Sequence, residues 1–133
     1  MKNILFVCFD NSAISQIAQA LVIKYGKNKV RAYSAGVKSS PKISQWAIEA
    51  MKRVDYNLSN HETQSIQHLM DLKFEYAITM GCPSACLFVE TIHREDWDIP
   101  DPNNPEQTEA TELLFLIEQR VKELIEKVEV ASV

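Results

Sequence analysis

Cys8 is the residue whose type and position are best suited to nucleophilic chemistry. It ends a short apolar run, residues 3–8, and a polar segment then leads into a helical pattern. Backbone N–H groups at a helix N-terminus bind anions and stabilise a thiolate, which could attack the phosphorus of a phosphoester or the arsenic of arsenate. The alternative is a buried structural thiol, because free cysteine is among the most buried residue types. The candidate anion-binding loop, called the cysteine loop below, contains Asp10, Asn11, Ser12, Ala13, Ile14 and Ser15.

The other two cysteines, Cys82 and Cys86, are separated by three residues. Together with His93 they supply three ligands, whereas zinc sites in proteins take four. A pair of thiols or a disulfide is therefore the better interpretation, and we predict no metal and no cofactor. His61 and His68 lie near a predicted helix, and a solvated or capping role is the default for both.

The elements around Cys8 follow a strand–helix pattern. Residues 3–8 are a continuous apolar run, which is typical of a strand buried on both faces of a parallel sheet. Apolar residues then recur every three or four positions from Ile14 onward, which predicts an amphipathic helix. Gly26 is the expected left-handed C-cap of this helix, and Asn11 or Ser12 is the expected N-cap.

The rest of the chain continues the alternation of strands and helices. We predict strands over residues 29–34, 74–80 and 87–92, and helices that begin near residues 40, 59 and 104. The fold class is therefore α/β, with residues 1–133 as a single domain and a parallel sheet that carries helices on both faces. Because ligands bind beyond the carboxyl ends of strands in such sheets, Cys8 and Cys82 should face the same edge.

The composition narrows the classes of function. The chain of 133 residues carries 14 Lys and Arg against 18 Asp and Glu, a net charge of −4. With no basic excess to face phosphates, it is not expected to bind nucleic acid. The apolar stretch near the start, residues 4–8, is too short for a signal peptide or a membrane span. We therefore expect no membrane attachment and a cytoplasmic location, where cysteines stay reduced.

Short motifs occur in order along the chain from Lys2 to about Val128. They are Cys8 with Asn11, Ser12, Ser15 and Gln16, then Tyr33 to Gly36, Ala47 to Met51, Ser59 to His61, Ile78 to Cys82, Asp96 with Trp97, and Asp101 with Pro102. With these motifs at this spacing, the sequence resembles the low-molecular-weight protein tyrosine phosphatase superfamily. Within it, the sequence is most similar to the thioredoxin-type arsenate reductases. The resemblance implies a four-stranded parallel sheet flanked by helices.

The resemblance also implies roles for individual residues. Cys8 matches the family's nucleophile, and Asp101 matches the general acid that protonates a leaving oxygen. Cys82 matches the second redox cysteine of the reductases, which attacks the arsenylated or oxidised nucleophile. Cys86 is placed like the third cysteine, which passes the disulfide to thioredoxin. The substrate would be a small oxyanion or a phosphoester, and thioredoxin would be the electron donor.

The cysteine loop departs from the family's pattern at two positions. The pattern is Cys, five residues and Arg, but Ile14 stands at the position of the arginine. Asp10 stands where the family has glycine, two residues after the nucleophile. A guanidinium would bind two oxygens of a substrate, and no other group in the loop does so. Because a carboxylate repels anions and raises the pKa of a neighbouring thiol such as Cys8, both changes predict weak oxyanion chemistry.

Three interpretations of these departures stay open. Ile14 belongs to the apolar stripe of the first helix and can simply join the core. Lys38, Lys42 or Arg94 could replace the missing cation. The Asp10 carboxylate could itself occupy the backbone N–H groups of the loop. The sequence thus supports two functions: an arsenate reductase-like or phosphatase-like enzyme of weak activity, or a catalytically silent relative that keeps the fold for binding or thiol redox sensing.

Overall fold

The fold alternates between strands and helices. The computed structural model describes residues 2–27, 29–81, 89–100 and 102–130. Two short 3-10 helices, Leu58–Asn60 and Ile66–Leu69, lie in the middle of the chain. Within the described ranges the longer elements are β1 (Lys2–Cys8), α1 (Ile14–Gly26), β2 (Val30–Gly36), α2 (Gln45–Lys52), β3 (Lys73–Thr79), β4 (Glu90–Asp96) and α3 (Gln107–Val130).

The four strands form one parallel sheet in the order β2-β1-β3-β4. Cys8 pairs with Gly36, Val7 with Thr79, and Thr79 with Asp96, so the carboxyl ends of all four strands meet at one edge. This arrangement confirms the predicted α/β fold with a four-stranded parallel sheet. Cys8, the last residue of β1, lies at the edge where parallel sheets bind ligands.

Both faces of the sheet are covered by helical segments. Successive side chains of a strand point to opposite faces, so the residues of β1 divide between two core clusters. Phe6 and Cys8 pack in the larger cluster with side chains of α1, α2 and α3. Leu5 and Val7 pack on the other face with the second 3-10 helix. The unbroken apolar run of β1 therefore correctly predicted a strand buried on both sides.

Both ends of α1 differ from the prediction. The N-cap is Ala13, and no side chain caps the first turn. The predicted caps Asn11 and Ser12 make hydrogen bonds within the cysteine loop instead. At the other end Gly26 is still helical, and Lys27 takes the left-handed conformation with a φ of 49°. A Cβ on Gly26 would lie 3.0 Å from a side chain of β2, so the glycine serves close packing.

α2 begins at Gln45, later than the predicted start near residue 40. The residues before it hold the cysteine loop through their backbone N–H groups. Ser40 donates to the carbonyl of Asp10 at 2.8 Å, and Ser44 donates to the carbonyl of Ser12 at 2.8 Å. Because these donors bond to another segment, they do not take part in an earlier turn of helix.

The remaining differences lie in the second half of the chain. The helix predicted from residue 59 is replaced by the two 3-10 helices, and the Asn57 side chain accepts from the backbone N–H of Ser59 at 3.2 Å. The carbonyl oxygen of Glu62, which lies between these two helices, accepts from Gln16 Nε2 of α1 at 3.1 Å. The strand predicted over residues 87–92 is described as β4, which begins at Glu90.

Candidate active site

Two hydrogen-bond donors face the sulfur of Cys8. The residue is fully buried at the end of β1. The Ser15 Oγ lies 2.8 Å from Cys8 Sγ, and the backbone N–H of Asn11 donates to the same sulfur at 3.2 Å. Hydrogen bonds to the charged form of a group favour that form, so these two contacts favour a thiolate, whereas the complete burial of the sulfur favours the neutral thiol. The structure thus brings together three of the predicted site residues.

Asn11 shapes the cysteine loop. Its φ of 59° is in the left-handed region, which asparagine adopts more readily than most residues. Its Oδ1 accepts from the backbone N–H of Gln64 at 2.8 Å and from Gln16 Nε2 at 3.0 Å. Its Nδ2 donates to Ser15 Oγ at 3.0 Å. Because the buried side chain is held by three partners, the loop conformation is fixed by the protein itself.

The contacts around Gln16 and Asn11 set the direction of the hydrogen bonds that lead to Ser15, and the protonation state of Cys8 sets the direction of the last one. Gln16 Nε2 faces three oxygens, two of them on Asn11, so the Gln16 Oε1 must be the atom that faces His61. The Ser15 hydroxyl accepts from Asn11 and has its own hydrogen available for Cys8. An ionised sulfur can only accept, so Ser15 is the donor to the thiolate.

His61 forms the outer end of this hydrogen-bonded chain. Its Nδ1 lies 3.1 Å from Gln16 Oε1, which only accepts, and Nδ1 therefore carries the hydrogen. The neutral ring then accepts at Nε2 from the hydroxyl of Tyr56 at 2.6 Å. Burial lowers the pKa of His61 and raises the pKa of Tyr56, which favours the neutral form of both. His61 is the C-cap residue of the first 3-10 helix, as one of the two expected roles has it, and its half-buried side chain is held by Gln16 and Tyr56.

The backbone of the cysteine loop packs against Gly36. A Cβ at this position would lie 2.7 Å from the carbonyl carbon of Asp10 and 2.8 Å from the backbone nitrogen of Asn11. Beyond Gly36, the backbone N–H of Lys38 donates to the carbonyl of Phe9 at 2.9 Å. Glycine is required here because the two backbones approach too closely for a side chain.

Ile14 joins the core. It is 0% exposed and packs in the larger core cluster with Ile17 and Leu21 of the same helix. This is the plain structural interpretation that the sequence left open. The position at which the resemblance places an arginine therefore supplies apolar packing and no positive charge.

The Asp10 carboxylate makes its hydrogen bonds within the cysteine loop. Its Oδ1 accepts from the backbone N–H of Ser12 at 3.1 Å and from the Ser12 hydroxyl at 2.8 Å. Positive φ values occur at Asn11 but not at Asp10, so a side chain at position 10 needs no left-handed backbone. One backbone amide of the loop, that of Ser12, is thereby bonded to the protein's own carboxylate.

The three side chains considered as replacements for the missing cation lie in different places. Lys38 and Lys42 are exposed, and neither forms an ion pair with another described residue. Lys42 lines a surface cavity of about 540 Å³ together with His61. Arg94 donates to the carbonyl of Val89, which precedes β4 at the end of the strand away from the carboxyl edge.

Three predicted site residues, Cys82, Cys86 and Asp101, lie outside the described residues. The chain next to them is at the carboxyl edge of the sheet. The backbone N–H of Gly81 donates to a carboxylate at the end of β4 at 3.3 Å. A Cβ on Gly81 would lie 3.7 Å from the carbonyl oxygen of Ile99. The segment that ends before Cys82 and the segment that ends before Asp101 therefore adjoin each other.

Neither a metal cluster nor a membrane-spanning helix is found in the part of the chain that the structure describes. Across these residues, no three His, Cys, Asp or Glu side chains come together as ligands for a metal ion. The metal alternative of Cys82, Cys86 and His93 includes two cysteines outside the description. No described helix is both long enough and apolar enough to cross a membrane.

Comparison with known proteins places this geometry in a family. The sequence model of the low molecular weight phosphotyrosine protein phosphatases matches residues 3–132. The chain belongs to this family. The superfamily inferred from the motifs around Cys8 is therefore confirmed.

Relatives within the family carry arsenate reductase names. Arsenate reductase 2 of Staphylococcus saprophyticus is 28% identical over 128 residues, which cover 92% of this chain and 95% of the relative. The glutaredoxin arsenate reductase of Synechocystis is 28% identical over 133 residues, which cover 96% of this chain and 99% of the relative. These values confirm the similarity to arsenate reductases.

Solved structures in the family share the fold. An arsenate reductase in its phosphate-binding state superimposes with a TM-score of 0.83 at 28% identity, over 96% of this chain and 98% of that one. The thioredoxin-dependent arsenate reductase of Corynebacterium glutamicum gives a TM-score of 0.80 at 25% identity, over 98% of this chain and 63% of that one. The strand order and the loop after β1 thus belong to a known scaffold.

Sequence reasoning did not predict the contacts behind the cysteine loop. Gln16, Gln64, His61 and Tyr56 all bond to the loop or to one another, yet none was predicted as a site residue. One signal was available. Gln16 is a polar residue among the apolar positions of α1, and it is 0% exposed, so its amide needs partners inside the protein.

Proposed function

We propose that the protein is a cysteine-dependent, arsenate reductase-like or phosphatase-like enzyme whose reaction with oxyanions is slow. Cys8 is the nucleophile of the proposed reaction. The observation that carries the proposal is the pair of donors on Cys8 Sγ, from Ser15 and the Asn11 amide. These contacts support a thiolate at the carboxyl edge of the sheet. Ile14, at the position where the resemblance places an arginine, is buried and supplies no cation.

In the proposed reaction with arsenate, Cys8 Sγ bonds to arsenic and a hydroxyl leaves as water. The Cys82 thiolate then attacks Cys8 Sγ; the sulfur–arsenic bond breaks, its electron pair stays on arsenic, and arsenite is released. Cys86 next attacks Cys82, which frees Cys8 and leaves a Cys82–Cys86 disulfide. A dithiol donor reduces this disulfide and becomes oxidised. Family membership supports these roles. The backbone N–H of Met80 donates to the carbonyl of Val7 at 2.8 Å, which places the chain just before Cys82 beside the end of β1 and supports the approach of Cys82 to Cys8.

In the proposed reaction with an aryl phosphate, Cys8 Sγ takes the phosphoryl group and Asp101 protonates the leaving phenolate oxygen. Water then cleaves the phosphocysteine and restores the thiolate. The adjacency of Ile99 and Gly81 supports this placement, because it brings the chain before Asp101 to the carboxyl edge.

Both reactions should be slow because the cysteine loop lacks an arginine. Arginine contacts to a transferring phosphoryl group contribute roughly 10³ to 10⁵ in rate. Two charge-assisted hydrogen bonds, at about 1.5 to 3 kcal/mol each, already correspond to hundreds-fold or more. Ile14 offers neither, and the Asp10 carboxylate adds a negative charge to the loop.

The electron donor that we propose is thioredoxin. One similar structure is named a thioredoxin-dependent arsenate reductase, and one relative is named a glutaredoxin arsenate reductase. The three-residue spacing of Cys82 and Cys86 resembles a branch of the thioredoxin-type enzymes. A relay of free thiols needs a reducing compartment, which agrees with the expected cytoplasmic location.

The test is arsenate reduction by the full chain with thioredoxin, thioredoxin reductase and NADPH, alongside hydrolysis of 4-nitrophenyl phosphate. Cys8→Ser should abolish both reactions. Cys82→Ser and Cys86→Ser should each abolish arsenate turnover and leave phosphate hydrolysis within about twofold, because hydrolysis needs no relay. Replacing thioredoxin by glutaredoxin and glutathione should lower the reduction rate. Either reaction persisting in Cys8→Ser would contradict the proposal.

A further inference from the structure

The Asp10 carboxylate is hydrogen-bonded to two donors of the cysteine loop. Its Oδ1 accepts from the Ser12 backbone N–H at 3.1 Å and from the Ser12 hydroxyl at 2.8 Å. The preceding amide, that of Asn11, donates to Cys8 Sγ. Two consecutive amides of the loop therefore donate to a sulfur and to a carboxylate, and both acceptors can carry a negative charge.

The loop is held so that these donors keep their positions. The carbonyl of Asp10 accepts from Ser40 at 2.8 Å, and the carbonyl of Ser12 accepts from Ser44 at 2.8 Å. On the other side, Gly36 leaves no room for the backbone of Asp10 to shift inward. An oxyanion that uses the Ser12 N–H and hydroxyl must therefore displace the carboxylate, because these bonds hold this part of the loop in place.

We propose that Asp10 is an internal ligand of the cysteine loop, which competes with oxyanions for the Ser12 N–H and hydroxyl and so restricts anion binding beside Cys8. The inference rests on the proposed function, since it takes the loop to be the oxyanion site. The carboxylate acts in two separable ways. It occupies two donors, and its charge repels a second anion.

Two substitutions separate occupation from charge. Asp10→Asn keeps an Oδ1 that can accept from Ser12 but removes the charge, whereas Asp10→Ala removes both. We expect Asp10→Asn to bind inorganic phosphate about tenfold more tightly than the unaltered protein, and Asp10→Ala about a hundredfold more tightly. Affinity is measured by titration of backbone amide resonances with phosphate. The Ser12 amide resonance should move in Asp10→Ala and stay in place in the unaltered protein over the same phosphate range.

Asp55→Asn is the matched control for charge. Asp55 is exposed, follows α2 and has a φ of 59°, a conformation that asparagine also accepts. The change removes one negative charge at a position outside the cysteine loop. It should alter phosphate affinity by less than about twofold. Urea unfolding of each variant checks that the fold is intact, and Asp10→Asn retains the acceptor that closes the turn onto Ser12.

The outcomes distinguish this inference from the proposed function. Phosphate affinity in Asp10→Ala within twofold of the unaltered protein would overturn the inference alone, and so would equal gains in the Asn and Ala variants. Suppose instead that no protein binds phosphate or arsenate, including Asp10→Ala combined with Ile14→Arg, while iodoacetamide still modifies Cys8. The loop is then not an oxyanion site, and both the proposed function and the inference are wrong.

Discussion

Around the sulfur of Cys8, hydrogen bonds and burial act in opposite directions. The Asn11 amide donates to the sulfur, and the Ser15 hydroxyl, whose oxygen accepts from Asn11, donates to it when the sulfur is ionised. The sulfur is fully buried, and burial disfavours a thiolate. We therefore expect the loss of either donor to lower the reactivity of Cys8.

Ser15→Ala tests the donor role of the hydroxyl. Loss of a hydrogen bond to the charged form raises the pKa of the Cys8 thiol, so alkylation near neutral pH should slow about five- to tenfold. The measurement is the rate of iodoacetamide modification against pH, in a background where Cys82 and Cys86 are serine.

The control for Ser15→Ala is Ser44→Ala. The Ser44 hydroxyl donates to Ser12 Oγ at 3.3 Å and makes no bond to the sulfur. This variant should follow the parent profile within twofold. A Ser15→Ala profile that overlays the parent would show that the hydroxyl does not donate to the thiolate.

His61 gives the protein a pH-dependent stability. Burial lowers the pKa of His61 below its ordinary value of 6.5, so the unfolded chain binds more protons than the folded one as pH falls past that value. The stability that depends on a neutral His61 is therefore fully present well above pH 6.5. It decreases as pH falls through 6.5 toward the lowered pKa of His61. Urea unfolding from about pH 8 to about pH 5 measures this decrease.

His61→Gln and His68→Gln separate this effect from other titrations. Glutamine at position 61 keeps a donor and an acceptor but does not titrate, so the decrease below pH 6.5 should be smaller than in the parent. His68→Gln, at an exposed position of the second 3-10 helix, is the matched substitution for comparison. Parallel curves for the parent and His61→Gln would contradict the assignment.

Among the secondary-structure elements, the segment between β2 and α2 positions the site most directly. Gly36 has no side chain, so the backbone of the cysteine loop packs closely against it. Backbone N–H groups within residues 38–44 then donate to the carbonyls of Phe9, Asp10 and Ser12. The loop is thus held by backbone atoms of a neighbouring crossover, independently of which side chain occupies position 14. The loop conformation therefore does not depend on an arginine at position 14, where the resemblance places one.

Gly36→Ala tests whether the close approach of the two backbones at Gly36 holds the cysteine loop in place. The added methyl group would lie 2.7 Å from a backbone carbon of Asp10, so the loop must move. We expect the free energy of unfolding to fall by about 1 to 3 kcal/mol, the usual cost of overpacking, and Cys8 alkylation to change as its donors shift. Urea unfolding and the iodoacetamide assay measure the two effects.

Gly26→Ala is the matched control for Gly36→Ala. Its Cβ would meet the end of the Val30 side chain at 3.0 Å, and alanine suits a helix better than glycine. Its stability should stay within about 1 kcal/mol of the parent, and Cys8 reactivity should not change. Equal changes in unfolding free energy and in Cys8 alkylation for the two alanine variants would contradict this role of Gly36.

Sequence patterns predicted the elements better than their ends. The apolar run of β1 and the helical stripe of α1 depend on local periodicity, and both were correct. The start of α2 was wrong because Ser40 and Ser44 use their amides in bonds to the cysteine loop. The His61 contact was missed for the same reason: its partner Gln16 is distant in sequence. Tertiary hydrogen bonds of this kind leave no trace in local periodicity.

For the molecule as a whole, the family match covers residues 3–132, and the four-stranded parallel sheet with its core on both faces is the scaffold of the site. By the resemblance, the two departures from the family's pattern, at Asp10 and Ile14, fall inside one short loop. We therefore expect the capacity of the protein to hold an oxyanion to depend on these two side chains.

The most direct test is kcat/KM for arsenate, with the thioredoxin system, in the unaltered protein and in the Asp10→Gly, Ile14→Arg double variant. Asp10→Gly alone accompanies it, because an arginine in place of the buried Ile14 can disturb the core. We predict a gain of at least about a hundredfold in the double variant and a smaller gain in Asp10→Gly. Turnover by the unaltered protein as fast as by the folded double variant would contradict the claim that these two residues limit oxyanion chemistry.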